Sequence, residues 1–347
     1  NVAYREFKRL TTEFRPLWKT LKGKNPTIPL TDEELLSLDK TPLSNYLKKY
    51  HPSFVALMDA FLKSASCAGS EGLSALAGSS ILEDLIVPSY VLPGANPSFA
   101  RALVQNLSQD KQQRMLGKAF VWSVTLSDSG ATVVFGTRDG VLHRVRCRHV
   151  IMAVPALVAG RIMFNMKPAD KAQFFTFRYG SYLVANFLLK KKVFSGSYDN
   201  FCAPPFSFAD ITIAETPYMR SGQYKPTMGS VLTVYQPYAP GSEGRSVLLE
   251  GNREKLARTL ASQLVALFKD IEPAIGSVVL SRWGHAMAVT NPGYYARMSK
   301  IISAQTDSYS LAHSSFRGLP CIESAVEGAR MAADRALKIK RTARARS

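Results

Sequence analysis

The densest run of chemistry-bearing residues is Leu311-Ala312-His313-Ser314-Ser315-Phe316-Arg317-Gly318-Leu319-Pro320-Cys321-Ile322-Glu323-Ser324-Ala325-Val326-Glu327-Gly328-Ala329-Arg330-Met331-Ala332-Ala333. Its pattern is a strand, a glycine-containing loop and a helix rich in small residues. Ala325, Gly328, Ala329, Ala332 and Ala333 let another backbone or a flat cofactor approach closely. Amides at the helix start can hold anionic or carbonyl oxygens, and Glu323 in the first turn suits the helix dipole. An ordinary strand-to-helix turn has the same outline.

A second candidate lies in Ser281-Arg282-Trp283-Gly284-His285-Ala286. An imidazole titrates near neutrality, so His285 is a candidate acid–base group, with a backbone-bonded structural histidine as the alternative. Trp283 is suited either to stacking on a flat ring or to filling a core. The histidines (His51, His143, His149, His285, His313) and cysteines (Cys67, Cys147, Cys202, Cys321) lack metal-ligand spacing and form no Cys-x-x-Cys pair. That excludes a zinc finger and a disulfide-stapled secreted scaffold.

Several elements must position these groups. Phe7, Leu10, Phe14 and Trp18 recur at helical intervals, with Pro16 expected to kink or divide the helix. Thr31 and Glu34 fit a capping box after Pro26 and Pro29. Further helices are expected from Leu43 to Tyr50 and from Pro52 to Ser66, followed by an apolar run at Ile81–Val87. A turn-rich strap, Ser89-Tyr90-Val91-Leu92-Pro93-Gly94-Ala95-Asn96-Pro97, precedes a helix over Ser98–Leu107. Phe120–Leu126, Thr132–Gly136 and Arg144–Val154 read as strands, with Asp139-Gly140 as a hairpin turn. Tyr182–Leu189, Ser230–Tyr235, Ser277–Trp283 and Ser308–His313 also read as strands, and helices are expected at Arg253–Asp270 and from Ile322. The residues after Trp283 read as irregular.

The chain has 347 residues, 46% of them apolar, and a formal charge of +18. No apolar run reaches the roughly 20 residues of a membrane-spanning helix. Residues 1–24 and 338–347 each carry a net +5, so more than half of the charge sits at the ends. Without a nucleic-acid motif this reads as a solvated basic surface, and no nucleic-acid partner is expected.

The 311–333 block resembles the C-terminal flavin-binding segment of the flavin-containing amine oxidoreductases, the monoamine and polyamine oxidase superfamily. It is more similar to the bacterial spermidine dehydrogenase-like branch. Leu92-Pro93-Gly94-Ala95-Asn96 resembles the family's Pro-Gly-Gly strap, and Val121-x-x-Val124 with Val150-Ile151-x-Ala153-Val154-Pro155 resembles the part closing over the flavin's adenine end. Arg178-Tyr179-Gly180-Ser181 resembles the start of the substrate-domain sheet, and Trp283 falls on the strand passing near the flavin. The resemblance implies an α/β (α+β), Rossmann-like two-domain fold and FAD as cofactor. It places Val121, Pro155, Trp283, Ser314, Ser315, Gly318, Ile322, Glu323 and Ala325 at the cofactor; His285 is the catalytic candidate on its residue type alone.

The implied organisation is a helical part of the substrate domain at 1–88 and a central FAD-binding segment at 89–175. The substrate sheet and helix follow at 176–276, the C-terminal FAD-binding segment at 277–337 and a basic tail at 338–347.

The departures from the family are specific. No Gly-x-Gly-x-x-Gly occurs, so the first βαβ unit, which holds the dinucleotide pyrophosphate, is expected to lie upstream of Asn1 as a missing N-terminal FAD-binding segment. Val184 stands where many members place a lysine, Cys321 where a tyrosine of the aromatic pair would be, and Ser315 where an acidic residue would meet the ribityl chain. The expected activity is hydride transfer from an amine carbon, with a polyamine as one substrate. Desaturation of an apolar substrate and a catalytically inactive binding module remain as alternatives.

Overall fold

In the computed structural model, residues 2–24, 32–88, 96–109, 115–194, 197–215 and 229–345 are described, with 90, 92, 222 and 225. Thr31, expected to cap the next helix, and most of the 89–95 strap lie outside them; the helix that starts at Glu33 is capped by Asp32, whose carboxylate accepts the Leu35 amide at 3.2 Å. In chain order the helices are α1 (Val2–Lys24), α2 (Glu33–Lys40), α3 (Ser44–Leu47), α4 (Pro52–Ser66), α5 (Ala75–Glu83) and α6 (Asn96–Gln109). Strands β1 (Phe120–Ser127), β2 (Gly130–Gly136), β3 (Leu142–Cys147) and β4 (Val150–Met152) follow, then α7 (Ala156–Ile162), β5 (Met163–Phe164) and α8 (Pro168–Gln173). Next come β6 (Tyr179–Leu189), β7 (Asp199–Phe201), β8 (Asp210–Ile213) and β9 (Ser230–Tyr238), with helices α9 (Gly244–Glu250) and α10 (Arg253–Leu267). The chain closes with β10 (Ile275–Ala288), α11 (Tyr294–Ser303), β11 (Tyr309–Leu311) and α12 (Ile322–Ala345). None of the described helices is long and apolar enough to cross a membrane.

The chain divides into two compact units, one of residues 1–85, 177–299 and 318–320 and the other of 86–176, 300–317 and 321–347. Strand β10 spans the 276/277 boundary expected from sequence, pairing with β6 from Ile275 to Ala288 with register shifts between Ile275 and Ser277 and between Trp283 and Met287. Its residues belong to the first unit.

The first unit is built on an antiparallel sheet of order β10-β6-β9-β8-β7. Strand alternation divides the side chains of β6 between two layers. Tyr182 and Val184 face a cluster containing Leu10, Phe14, Trp18, Phe54 and Leu62 from α1 and α4. Leu183, Ala185 and Phe187 face a second cluster containing Leu248, Leu260 and Leu264 from α9 and α10. Helix α1 runs through Pro16 rather than dividing there. Phe14 and Trp18, on either side of the proline, are both buried, and the Trp18 indole donates to the Ser79 carbonyl at 2.8 Å. Packing on both sides outweighs the lost backbone bond.

Three other expectations change. The helix expected over 43–50 is a single turn, Ser44–Leu47. The 144–154 segment is two strands, because His149 bonds the Asp307 carbonyl and the Ser310 hydroxyl, both at 2.8 Å, and takes the chain to a different partner. The irregular stretch after Trp283 contains α11, whose first-turn amides of Tyr295 and Ala296 donate to the fully buried Asp39 carboxylate at 3.1 Å. This is a helix cap supplied 256 residues away in sequence.

In the second unit β1, β2 and β3 form an antiparallel meander with β5 beside β1, while β4 and β11 form a parallel pair. Strand β11 leads through a loop into α12. Gly328 in α12 lies where a Cβ would stand 3.0 Å from the Ala312 carbonyl oxygen, so the helix crosses the strand end at backbone distance. The buried Arg317 guanidinium pairs with Glu327 at 2.8 Å and ties the loop to the helix.

Replacing Asp39 by Ala leaves two amides of α11 without their acceptor inside the protein. Chemical denaturation should show a loss of about 1–3 kcal/mol. An unchanged midpoint would contradict the capping role.

Candidate active site

A cavity of about 440 Å³ opens in the first unit against one face of the five-stranded sheet. Its lining includes Tyr182, Val184, Asp199, Asp210, Tyr235 and Trp283. Asp210 and Thr212 alternate with Ile211 and Ile213 along β8, so the polar pair faces the cavity while the isoleucines enter the α9–α10 core. Asp199 comes from the neighbouring β7, and Tyr235 sits directly across from Asp210 on β9. Trp283, on β10, is 58% exposed.

The two carboxylates differ in setting. Asp210 is only 5% exposed, accepts the Asn200 amide and the Ser64 hydroxyl, each at 3.2 Å, and shares the site with Asp199. Burial, reinforced by the Asp199 charge, pushes its pKa up to about 7. Asp199 is exposed, accepts the Thr212 hydroxyl at 3.2 Å, and is also raised by partial desolvation. Burial raises the nearby phenols: Tyr235 to about 12, with Tyr182 and Tyr198 displaced in the same direction. These rings stay neutral and offer π faces. Tyr182 and Tyr235 meet edge to face at 5.9 Å.

Among the described residues no lysine or arginine lines this cavity. A second cleft, of about 460 Å³, mixes Asp59 and Glu71 with Lys63 and Arg178. Unlike that cleft, the first combines carboxylates with aromatic walls, and among the described residues no cation lines it. That chemistry suits an organic ammonium, attracted by the carboxylates and by the ring quadrupoles.

The sequence-derived residues fall into separate groups. Trp283 lines the cavity. His285 is exposed on the same strand, with Arg245 Nη1 2.7 Å from its Nε2, 3.0 Å from its Nδ1 and the Tyr179 ring at 5.8 Å. A ring nitrogen facing a guanidinium accepts a hydrogen bond rather than donating one. Gly318 has φ +102° and packs under the Tyr295 hydroxyl, which a Cβ would approach to 2.5 Å.

The other residues belong to the second unit. Val121 is 37% exposed on β1, and Pro155 caps α7 at the end of β4. Ser314 is half-buried, and Ser315 is buried with its hydroxyl 3.0 Å from His313 Nδ1, which also accepts the Ser315 amide at 3.1 Å. Burial lowers the His313 pKa, in keeping with this acceptor role. Ile322 and Glu323 are exposed in the first turn of α12, and Ala325 is half-buried. Parallel strands β4 and β11 thus run into two loops beside an accessible helix start, with apolar Val121 and Ile322 exposed. This fits the way α/β folds present amides and apolar surface to a dinucleotide.

The cavity carboxylates, Tyr198 and Tyr235 were absent from the sequence reading. An aspartate inside Ala209-Asp210-Ile211-Thr212-Ile213 carried a signal, since a charge within an apolar strand requires a partner or a purpose.

The fold is that of the FAD-dependent amine oxidases. The chain belongs to the flavin-containing amine oxidoreductase family, whose model matches residues 5–337, and the cofactor is FAD. Among solved structures it is similar to wild-type putrescine oxidase bound to putrescine, at 15% identity and TM-score 0.71, covering 96% of this chain and 75% of that one. It is also similar to cyclohexylamine oxidase from Brevibacterium oxydans, at 15% identity and TM-score 0.66, covering 95% and 75% respectively. No curated protein matches in a sequence comparison.

The raised Asp210 pKa has a thermodynamic consequence. Between the ordinary carboxylate value and about 7, the folded protein binds more protons than the unfolded chain, so this group's contribution to stability falls as pH rises through that window. Denaturation midpoints should therefore decline more from about pH 4 to pH 7 in the native protein than in Asp210→Asn. Parallel profiles would contradict the assignment.

Proposed function

We propose that the protein oxidises a cationic amine, with a polyamine of the kind used by the spermidine dehydrogenase-like branch as its substrate class. The observation that carries this reading is the acidic, aromatic cavity on a sheet of the amine oxidase fold. When bound, FAD supplies the hydride acceptor for the carbon next to the amine nitrogen, and the resulting imine hydrolyses. Asp210 and Asp199 attract and hold the ammonium, Tyr235 and Trp283 give it π surface, and Val184, Ala286 and Met287 cover the carbon chain and keep water from it. Val184 presents a methyl surface at the place where the resemblance puts a lysine, so the side chain at this position orients substrate and carries no proton. The apolar wall would also suit a hydrocarbon substrate, but a hydrocarbon would take water from Asp199 and Asp210 without giving either carboxyl group a new partner.

For the cofactor, Val121, Pro155, Ser314, Ile322, Glu323 and Ala325 are the residues proposed to hold FAD, with Ser315 and Gly318 shaping the loop between them. A glycine-rich βαβ segment is proposed to complete the dinucleotide site beside β4. Two features support this: the two-stranded parallel pair is smaller than the sheets that normally bury such strands, and Ile151 in β4 is exposed.

Adding a diamine anaerobically to the FAD-loaded protein should bleach the flavin's blue absorption band. Bleaching by isoprenoids and not by amines would overturn the reading. If His285 takes part in proton transfer, His285→Ala should slow that reduction by about 10²-fold or more; an unchanged rate would leave His285 a structural neighbour of Arg245.

A further inference from the structure

The cavity holds two carboxylates on adjacent strands, one buried and one exposed. Asp210 and Asp199 are close enough to act electrostatically on each other, yet each is held by separate neutral donors: Ser64 and the Asn200 amide for Asp210, Thr212 for Asp199. Among the described residues lining the cavity there is no lysine or arginine to neutralise either of them. The titratable groups facing Asp210 are Asp199 and Tyr198 from β7 and the residue before it, Tyr235 from β9, Tyr182 from β6 and Cys202 beyond β7. From α4 the direct contact is the neutral Ser64 hydroxyl. Burial, then the Asp210 charge, raises the Cys202 thiol to about 11, and the phenols are raised as well, so none of these groups loses a proton near neutrality.

We propose that Asp199 and Asp210 together hold one proton in the empty cavity and release it to solvent when the ammonium of a substrate enters. On this account the pair is the specificity element that favours doubly charged amines over monoamines. The inference rests on the amine reading and deepens it. The balance is simple: the Asp210 carboxylic acid loses its proton to water, and the entering ammonium takes over the neutralisation of its charge. A monoamine presents one cation and must divide it between the reacting end and the carboxylates. A diamine can place a second ammonium at the pair while its other end remains free to react. The exposed Asp199 gives the second charge a route in, and Asp210 fixes it where water is scarce.

The test is calorimetric titration of the FAD-loaded protein with 1,4-diaminobutane and with butylamine, in buffers of different ionisation enthalpy. The diamine should bind about 10- to 100-fold more tightly than the monoamine, as expected for a hydrogen bond to a charged group. Close to one proton should be released per diamine at about pH 6 and almost none at about pH 9. Asp210→Asn should abolish both the release and the preference, while Asp199→Asn, exposed and less able to disturb folding, should reduce the preference and the amount released near neutrality. Equal affinities for the two amines without proton release would overturn the pair's role and leave amine binding intact. Failure of both amines to bind the native protein would overturn the amine reading together with it.

Discussion

Strand β6 is buried on both faces, and that constraint organises the first unit. Side chains alternate across a strand, so every second residue must satisfy a different layer. Leu183, Ala185, Phe187 and Leu189 pack against α9 and α10, whereas Tyr182 and Val184 face α1 and α4. The cavity sits on the latter side, where the helices leave a space that Asp210, Thr212 and Tyr235 share with Tyr182 and Val184. A one-residue slip of β8 would turn its isoleucines into the cavity and push Asp210 into an apolar core. Register and site are therefore one feature.

Electrostatics also becomes local. A chain of net charge +18 would repel a polycation on average, and its surface is basic at both ends. Within the cavity the sign is reversed. Two carboxylates face neutral phenols, and Asp210 lies in a medium where its charge is poorly screened by water. Such a site attracts a cation strongly at short range, although long-range steering by the basic surface opposes it. The second unit uses charge differently: the Arg317–Glu327 pair stabilises the geometry of the loop leading into α12.

Much of this could be read in the sequence. The helix at Pro52–Ser66 and the start of the final helix at Ile322 appear where periodicity and turn residues put them, because those signals are local. Membership of the family was legible through the resemblance of the 311–333 block. Helix α11 was not, although Tyr294, Tyr295, Met298 and Ile301 carry a helical spacing. Its cap, Asp39, comes from a distant part of the chain, so no local start signal marks it. The short β7 and β8 were missed because three- and four-residue strands carry too little periodicity. With them went Asp199 and Asp210, whose significance depends on the strands being neighbours. His285 was conspicuous in the sequence by type alone, and the structure gives it Arg245 as a close neighbour.

On the proposed reading, the acidic cavity of the first unit receives the ammonium of the substrate. A crystal structure of the protein grown with a short aliphatic diamine tests it most directly. A chain of density is expected in the cavity, with one nitrogen within hydrogen-bond distance of Asp210 and the carbon chain along Val184 and Met287. A diamine seated instead in the Asp59–Arg178 cleft, with the Asp210 cavity holding only water, would contradict it.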